Sequence, residues 1–375
     1  MTGRGRSDII AEQFVETKGL IQIPSIIPIE NLPVALICLV ASIAVIVKGG
    51  DLFVDAASWM AEVSGIPKLI VGATVVSVAT TLPEMLVSAF SAASARATGD
   101  AAYIDMSIGN AVGSVTANTG MILAIALIFM ACAIDRKEYF AKSCLFVGSA
   151  GVIAAFGLTG SIGLIPNLLL LSIFVVAMTE NVLGAVRQVR AGAGEKDALS
   201  DDALQDGEDG GRQAANGRLW TKNVILFLIG AAAIALGANV LVDSAEYVAK
   251  AAGVPERIIA VTILAVGTSL PELVTTLTAV VKREMSLSAG NIIGANIMDL
   301  TLIMPICGLI SGKALPVTAQ VGRIDLPATL IAALLAMVPA LIKRRFMKWQ
   351  GFALLGLYVA YLVVTCFFGE TIAAL

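Results

Sequence analysis

The chain has 375 residues, of which 58% are hydrophobic and 14% charged, with a formal net charge of −3. Because water-soluble domains carry about 25% charged residues, this composition excludes a soluble globular protein and favours a membrane protein with short loops. The chain contains no histidine, which excludes histidine zinc sites, Ser-His-Asp triads and histidine proton relays. Its five cysteines lack C-x-x-C spacing, so we expect no disulfide framework, soft-metal site or other cofactor.

Residues 1–31 are polar and interrupted by prolines, so we expect a short N-terminal extension rather than a signal peptide. From residue 32 onward the sequence predicts about ten membrane-spanning helices. These apolar stretches cover 32–62, 66–95, 103–131, 141–161, 164–186, 222–251, 256–281, 286–310, 324–342 and 350–369. The glycines and acidic residues of 191–219 predict a flexible, solvated linker between the helices.

The two halves of the chain are related to each other. Residues 48–90 and 236–278 align without gaps and are identical at 14 of 43 positions, including Leu-Pro-Glu at 82–84 and 270–272. A Gly-Asn-x-x-Gly motif follows in each half, at 109–113 and 290–294. Each half contains five predicted spans, an odd number, so the sequence predicts two inverted five-helix repeats, 32–190 and 220–375.

The distribution of basic residues predicts how the helices cross the membrane. With the central linker in the cytoplasm, the predicted cytoplasmic segments carry sixteen Lys and Arg residues, Lys142 among them, and the external segments carry eight. Cytoplasmic loops of membrane proteins are enriched in basic residues. We therefore expect a multi-pass protein of the plasma (inner) membrane with both termini outside.

Two acidic residues, Glu84 and Glu272, are the leading candidates for function. They occupy equivalent positions in the middle of predicted spans, where a charge costs about 2.5–3.5 kcal/mol on insertion scales and usually faces a functional cavity. Each follows a proline, which removes a backbone N–H and predicts a kinked helix with exposed carbonyl oxygens. Two hydroxyl residues precede each kink: Thr80 and Thr81 in the first half, Thr268 and Ser269 in the second. The structural alternative is that these hydroxyls bond back to helix carbonyls.

Asn118 and Asp299 lie eight residues beyond the Asn of each Gly-Asn motif, at matching places in the two halves. They would complete an oxygen cage between the repeats. Ca²⁺ prefers six to eight oxygen ligands at about 2.3–2.6 Å, a number that such a cage can supply. Mg²⁺ fits the cage less well because it retains its water ligands. Three carboxylates carry up to three negative charges, more than one divalent ion neutralises. We therefore expect two kinds of cation to occupy the site alternately.

These motifs resemble the alpha repeats of the cation/calcium exchanger superfamily, and most closely the prokaryotic sodium/calcium exchangers. The resemblance covers nearly the whole chain from residue 32 and implies antiport of Ca²⁺ for Na⁺ by alternating access. It implies calcium ligation by Glu84, Glu272, Asn118, Asp299, Thr80 and Thr268. It implies sodium sites that involve Ser77, Thr81, Ser114, Ala265 and Ser269. Ala295 departs from the family pattern because it replaces a serine whose hydroxyl helps to hold sodium.

We expect a transporter rather than an enzyme, with Ca²⁺, Na⁺ and the lipid bilayer as partners and with neither a nucleic acid nor a required protein partner. A Ca²⁺/H⁺ exchanger is the main alternative, because a glutamate desolvated in the membrane can carry a proton. The hydroxyls beside both glutamates favour sodium, and K⁺ stays open as a further counter-ion. A cation channel would not need two inverted copies of the site. An intramembrane aspartyl protease would need a motif that the sequence lacks.

Overall fold

The structure, a computed structural model, describes residues 29–131, 133–200, 217–253 and 269–368. These residues form ten helices, numbered here in chain order. Their bounds are α1 Leu32–Ser64, α2 Lys68–Thr98, α3 Tyr103–Phe129, α4 Arg136–Gly157, α5 Leu164–Ser200, α6 Gly217–Ala251, α7 Leu270–Val281, α8 Met285–Ser311, α9 Val321–Lys343 and α10 Lys348–Val363. Within the described ranges, eight of them are long and apolar enough to cross a membrane, the exceptions being α7 and α10. The predicted all-helical membrane fold is confirmed.

Local sequence sets several helix ends. α1 begins after Asn31, whose side-chain oxygen accepts a hydrogen bond from the N–H of Val34 at 3.0 Å. It ends at Gly65, which has φ of 69°, a left-handed conformation that glycine adopts without strain. Gly312, with φ of 67°, ends α8 in the same way.

The predicted linker is shorter in the structure than in the sequence analysis. α5 continues to Ser200, so the first ten residues of the predicted segment 191–219 are helical, and α6 begins at Gly217. The reason is that Ala, Glu, Lys and Leu are good helix formers and extend a helix that is already nucleated. Residues 201–216 lie outside the described part of the chain, as does the predicted extension up to residue 28. The boundaries of the two repeats stay a prediction.

The first helices of the two halves, α1 and α6, pack side by side in opposite directions. The rings of Phe53 and Phe227 stack at 4.3 Å, and those of Trp59 and Trp220 meet edge to face at 5.4 Å. Higher residue numbers in α1 thus meet lower numbers in α6. A Cβ atom on Gly230 would lie 2.7 Å from the backbone N of Phe53, so glycine is needed for this close approach. Equivalent helices that run antiparallel are what an inverted repeat requires.

The connecting loops repeat the same relationship. In one pair, the N–H of Ile134 in the α3–α4 loop donates to the carbonyl of Arg344 in the α9–α10 loop at 3.1 Å. In the other, the N–H of Val317 in the α8–α9 loop donates to the carbonyl of Gly160 in the α4–α5 loop at 2.9 Å. Beside this second contact, strands β1 (Ser161–Ile162) and β2 (Leu315–Pro316) pair antiparallel. Each contact joins the loop between the third and fourth helices of one half to the loop between the fourth and fifth helices of the other half. The two contacts are therefore equivalent under the inverted repeat.

Lys142 corrects one detail of the orientation argument. It was expected among the cytoplasmic loop residues, but it is buried within α4, seven residues from the start of the helix. Its ammonium donates to the side-chain oxygen of Asn181 in α5, and Asn181 in turn donates to the carbonyl of Ala73 in α2 at 3.4 Å. This hydrogen bond, together with the nearby carboxylates of Glu180 and Glu138, makes burial of the cation tolerable. The excess of basic residues on the predicted cytoplasmic side remains without it.

Candidate cation-binding site

The two predicted glutamates meet at the contact between α2 and α7. Glu84 and Glu272 are each 1% exposed. The Glu272 carboxyl group lies near that of Glu84 and near the hydroxyls of Thr80 and Thr81, close enough for electrostatic interaction. The inverted repeat thus brings side chains from equivalent positions of the two halves into one buried space.

Asn118 and Asp299 both stand at the first residue of a π-helical turn, Asn118–Leu123 in α3 and Asp299–Ile303 in α8. Each is 1% exposed, and Asp299 is close enough to both glutamates to interact with them electrostatically. A π-helical turn shifts the backbone hydrogen bonds by one residue, and such turns occur frequently at functional sites. The structure therefore joins Asp299 to the glutamate pair and gives Asn118 the equivalent backbone setting.

Many oxygens of the predicted ligands have no hydrogen-bond partner. Native proteins pair about 90% or more of their buried polar groups, so a local set of unpaired ones points to a ligand. Among the described residues, eight unpaired buried oxygens belong to predicted site residues: Thr81 Oγ1, both carboxylate oxygens of Glu84, Ser114 Oγ, Asn118 Oδ1, Ser269 Oγ, Glu272 Oε2 and Asp299 Oδ1. We call these eight atoms the orphan oxygens.

The orphan oxygens are duplicated between the repeats with one exception. Hydroxyls occur at 81 and 269, carboxylates at 84 and 272, and an amide and a carboxylate at 118 and 299. Ser114 has no counterpart, because the equivalent residue, Ala295, is fully buried and has no hydroxyl. The site is therefore richer in neutral hydroxyl oxygen on the first-repeat side.

The carboxylates alone do not make a metal site. Within the described ranges, no three Asp, Glu, His or Cys side chains are grouped closely enough to hold a metal ion together. An ion at the glutamate pair would need the hydroxyl, amide and backbone oxygens as well. This mixed set of hard oxygen ligands suits Ca²⁺ and Na⁺ and excludes metals that need sulfur or imidazole.

The two prolines lie at different places in their described helices, and the predicted kink at Pro271 stays a prediction. Pro83 lies inside α2 and offers no N–H to the carbonyl of Ala79. Pro271, in contrast, lies in the first turn of α7, where a missing N–H costs no helical hydrogen bond. Glu272 therefore lies in the first turn of α7, and whether a helix precedes it rests on residues 254–268, which lie outside the described part of the chain.

The remaining predicted residues fall into two groups. Ser77 is fully buried, its hydroxyl donates to the carbonyl of Thr74 at 3.2 Å, and its own carbonyl accepts from Thr80 at 3.4 Å. Ser77 thus lies about two turns before Glu84 in α2, and its role as a backbone ligand stays a prediction. Thr268 and Ala265 lie outside the described residues, so their roles stay predictions.

Two asparagines hold the site helices, a role the sequence analysis did not assign. The side chain of Asn110 donates to the backbone carbonyl of Glu84 at 3.1 Å and to Ser88 Oγ at 2.9 Å. The side chain of Asn291 donates to Thr275 Oγ1 at 3.1 Å and accepts from Thr80. The duplication of asparagine within both Gly-Asn motifs was the signal that could have indicated this role.

The glycines of the second motif bring α8 against the start of α2. A Cβ atom on Gly294 would lie 2.6 Å from Ala73 Cα and 2.7 Å from Ser77 Oγ, distances that real Cβ atoms do not show. Gly290 contacts the backbone of Leu69 in the same manner. Close backbone approach through small residues is typical of membrane helices. Here it places α8, which carries Asp299, beside Ser77.

The fold is that of a membrane protein built from an inverted repeat, and its buried orphan oxygens lie where the two repeats meet, an arrangement typical of secondary transporters. The profile of the sodium/calcium exchanger protein family matches residues 34–182 and 222–367. The chain therefore belongs to the sodium/calcium exchanger protein family. This is a family of transporters, in agreement with the expectation that the protein is not an enzyme.

Individual proteins show the same relationship. The chain is 28% identical to the sodium/calcium exchanger MaX1 of Methanosarcina acetivorans, over 87% of this chain and 97% of the relative. It is 30% identical to the inner membrane protein YrbG of Escherichia coli, over 73% of this chain and 79% of the relative. A solved structure of the sodium-calcium exchanger NCX_Mj, soaked with 10 mM Na⁺ and zero Ca²⁺, has the same fold, with a TM-score of 0.70 at 24% identity over 88% of this chain and 98% of that one.

Proposed function

We propose that this protein exchanges Ca²⁺ for Na⁺ across the membrane by alternating access, with the ions bound between the two repeats. The observation that carries the proposal is the set of orphan oxygens, which is buried, duplicated and composed of the ligand types that both ions prefer. Membership of the sodium/calcium exchanger family supports the same pair of ions.

Charge explains why one site would serve both ions in turn. Glu84, Glu272 and Asp299 place up to three negative charges in a space that excludes water, and bare charges there are strongly disfavoured. A site occupied by Ca²⁺ or by several Na⁺ ions can cross between the two open states, whereas an empty one is held back. Coupled exchange follows from this difference.

The proposed calcium ligands are Glu84, Glu272, Asn118, Asp299 and the carbonyl oxygens of Thr80 and Thr268. The proposed sodium ligands are Thr81, Ser114 and Ser269, with backbone oxygens of Ser77 and Ala265. In this assignment the carboxylates are shared, and the hydroxyls distinguish sodium occupancy from calcium occupancy. We further propose that the protein lies in the plasma (inner) membrane with its central linker in the cytoplasm and both termini outside.

Radioactive calcium uptake into proteoliposomes tests the proposal. Vesicles loaded with Na⁺ are diluted into Na⁺-free buffer, and uptake is compared with a pH gradient alone and with no gradient. Uptake driven by the Na⁺ gradient alone is the expected result. Flux that needs no counter-ion would contradict antiport and indicate a channel.

The contact between the two glutamate side chains favours a second candidate, a Ca²⁺/H⁺ exchanger. Two carboxylates in one buried space repel each other unless a positive charge offsets them, and a proton can serve as well as a metal ion. Uptake that follows only the pH gradient would select this candidate and leave the glutamate assignment intact. Adding K⁺ to both sides of the Na⁺-driven assay shows whether K⁺ is carried as well.

A further inference from the structure

A second buried carboxylate, Asp325, lies in α9. Asp325 is only 7% exposed, and its Oδ1 atom has no hydrogen-bond partner among the described residues. Its backbone carbonyl accepts the hydroxyl of Thr329 at 2.8 Å. An acidic side chain within a membrane helix is costly unless it meets a partner or a ligand.

The groups near Asp325 are hydroxyl oxygens from α10 and from the π-helical turn that follows it. The Tyr361 hydroxyl lies near Asp325 and interacts with it electrostatically, and Thr365, one turn further along the chain, lies near Tyr361. The Thr365 hydroxyl is buried and has no partner among the described residues. One carboxylate oxygen and one hydroxyl are thus available in the same place.

Both helices change to π-helical geometry at this cluster. Val321–Asp325 forms a π-helical turn in α9, and Val364–Phe368 forms another directly after α10. The same combination of an unpaired buried side-chain oxygen and a π-helical turn occurs at Asn118 and Asp299 in the transport site. Backbone oxygens freed by a π-helical turn are available to a ligand.

The cluster is separate from the transport site, although it lies against the same helix. The hydroxyl of Thr116 in α3 is 2.7 Å from that of Thr329. Ser114 and Asn118 are four residues apart and share one face of α3, while Thr116, between them, points to the opposite face. The backbone of α3 therefore divides the two groups of oxygens.

We propose that Asp325, Tyr361 and Thr365, with π-helical carbonyl oxygens beside them, form a second cation site that binds one monovalent alkali ion. A single carboxylate is neutralised by one positive charge, whereas Ca²⁺ sites normally supply more carboxylate oxygen. The site goes beyond the proposed exchange reaction, because its ion would be held behind α3 and not carried with the transported ions. An ion there would fix the packing of α9 and α10 on α3, next to the ligand Asn118.

The test uses the full-length chain with the transport site disabled by Glu84→Gln and Glu272→Gln together. Thermal unfolding of this purified double variant is followed against increasing NaCl, KCl or choline chloride at one pH and constant ionic strength. We expect saturable stabilisation by Na⁺ or K⁺ and none by choline. Adding Asp325→Asn should weaken the apparent affinity about tenfold or more, since the carboxylate charge of the proposed site is lost.

A matched control is Asp51→Asn, which makes the same chemical change at the exposed end of an ion pair with Lys282 and should leave the cation response unchanged. If the Asp325 variant does not fold, Tyr361→Phe removes one ligand and keeps the carboxylate, and we expect it to raise the cation concentration needed for stabilisation. The proposal is overturned if the disabled protein responds equally to Na⁺, K⁺ and choline, or if Asp325→Asn keeps the full response. None of these results would bear on the transport site, which is inactive in this background.

Discussion

At the residue scale, Glu84 and Glu272 place two carboxyl groups in one buried space, and substitution of either tests whether their charge is needed. Glutamine keeps the size of the side chain and removes the charge. We expect Glu84→Gln and Glu272→Gln each to lower Na⁺-driven calcium uptake by roughly 100-fold, equivalent to about 2.7 kcal/mol, without unfolding the protein.

Two checks accompany this prediction. Size-exclusion elution of each variant shows whether the fold is intact. Glu62→Gln is a matched control, because Glu62 is exposed and forms an ion pair with Lys68 away from the site. Normal uptake by either site variant would refute the assignment of that glutamate.

Ala295 offers a prediction about the sodium side of the exchange. Ala295→Ser adds a hydroxyl at the position equivalent to Ser114, whose own hydroxyl is one of the orphan oxygens. We expect the Na⁺ concentration for half-maximal exchange to fall severalfold while the corresponding Ca²⁺ concentration changes little. Ser114→Ala should have the opposite effect on Na⁺. Equal shifts for both ions would show that this position does not distinguish sodium from calcium.

At the element scale, the contact of α8 with the start of α2 depends on glycine. Gly294→Ala would place a methyl group against Ala73 and Ser77, and overpacking of this kind costs about 1–3 kcal/mol. We expect a lower unfolding temperature and reduced exchange, because Ser77 and Asp299 would be pushed apart. Thermal unfolding in detergent and calcium uptake measure the two effects.

The matched control for this substitution lies in α10. A Cβ atom on Gly356 would have no neighbour within 4 Å among the described residues, so Gly356→Ala should be neutral or slightly stabilising through helix propensity. If the Gly294 variant is as stable and active as the Gly356 variant, the close approach of α8 and α2 is not required.

At the scale of the whole molecule, the inverted arrangement makes a topological prediction. The α8–α9 loop and the α9–α10 loop lie at opposite ends of α9, and both Lys313 and Arg345 are exposed. In a cysteine-free background, we expect a membrane-impermeant maleimide to label Lys313→Cys in intact cells and to label Arg345→Cys only after the cells are broken. The reverse pattern would invert the proposed orientation, and equal labelling of both would contradict it.

The sequence predicted the features that repeat and missed those that depend on packing between helices. The spans and the glutamate pair were accessible because apolar length and duplication are visible in one sequence. The π-helical turns at Asn118 and Asp299 were not, since the contacts that select them come from other helices. The cluster at Asp325 has no duplicated motif and draws on two helices whose residues are far apart in the chain.

Burial of Lys142 is a further case, because its position near a helix start resembles that of a loop residue until its partner is known. Asn181, which satisfies the ammonium, lies on the next helix, 39 residues away. The hydropathy of a single helix does not reveal a hydrogen-bond partner on the next helix. This is why the count of cytoplasmic charges included one residue that belongs to the interior.

In the proposed exchange by alternating access, Lys142 and Asp325 would make the two directions of transport unequal. They lie within the first two turns of α4 and α9, equivalent helices that begin on opposite faces of the membrane, and both are buried. An inverted repeat with identical halves would give an inward-open and an outward-open state of the same energy. Turning this molecule over exchanges a buried positive charge for a buried negative one. The inward-open and outward-open states of the proposed mechanism would therefore differ in energy, and a membrane potential would act on them with different strength.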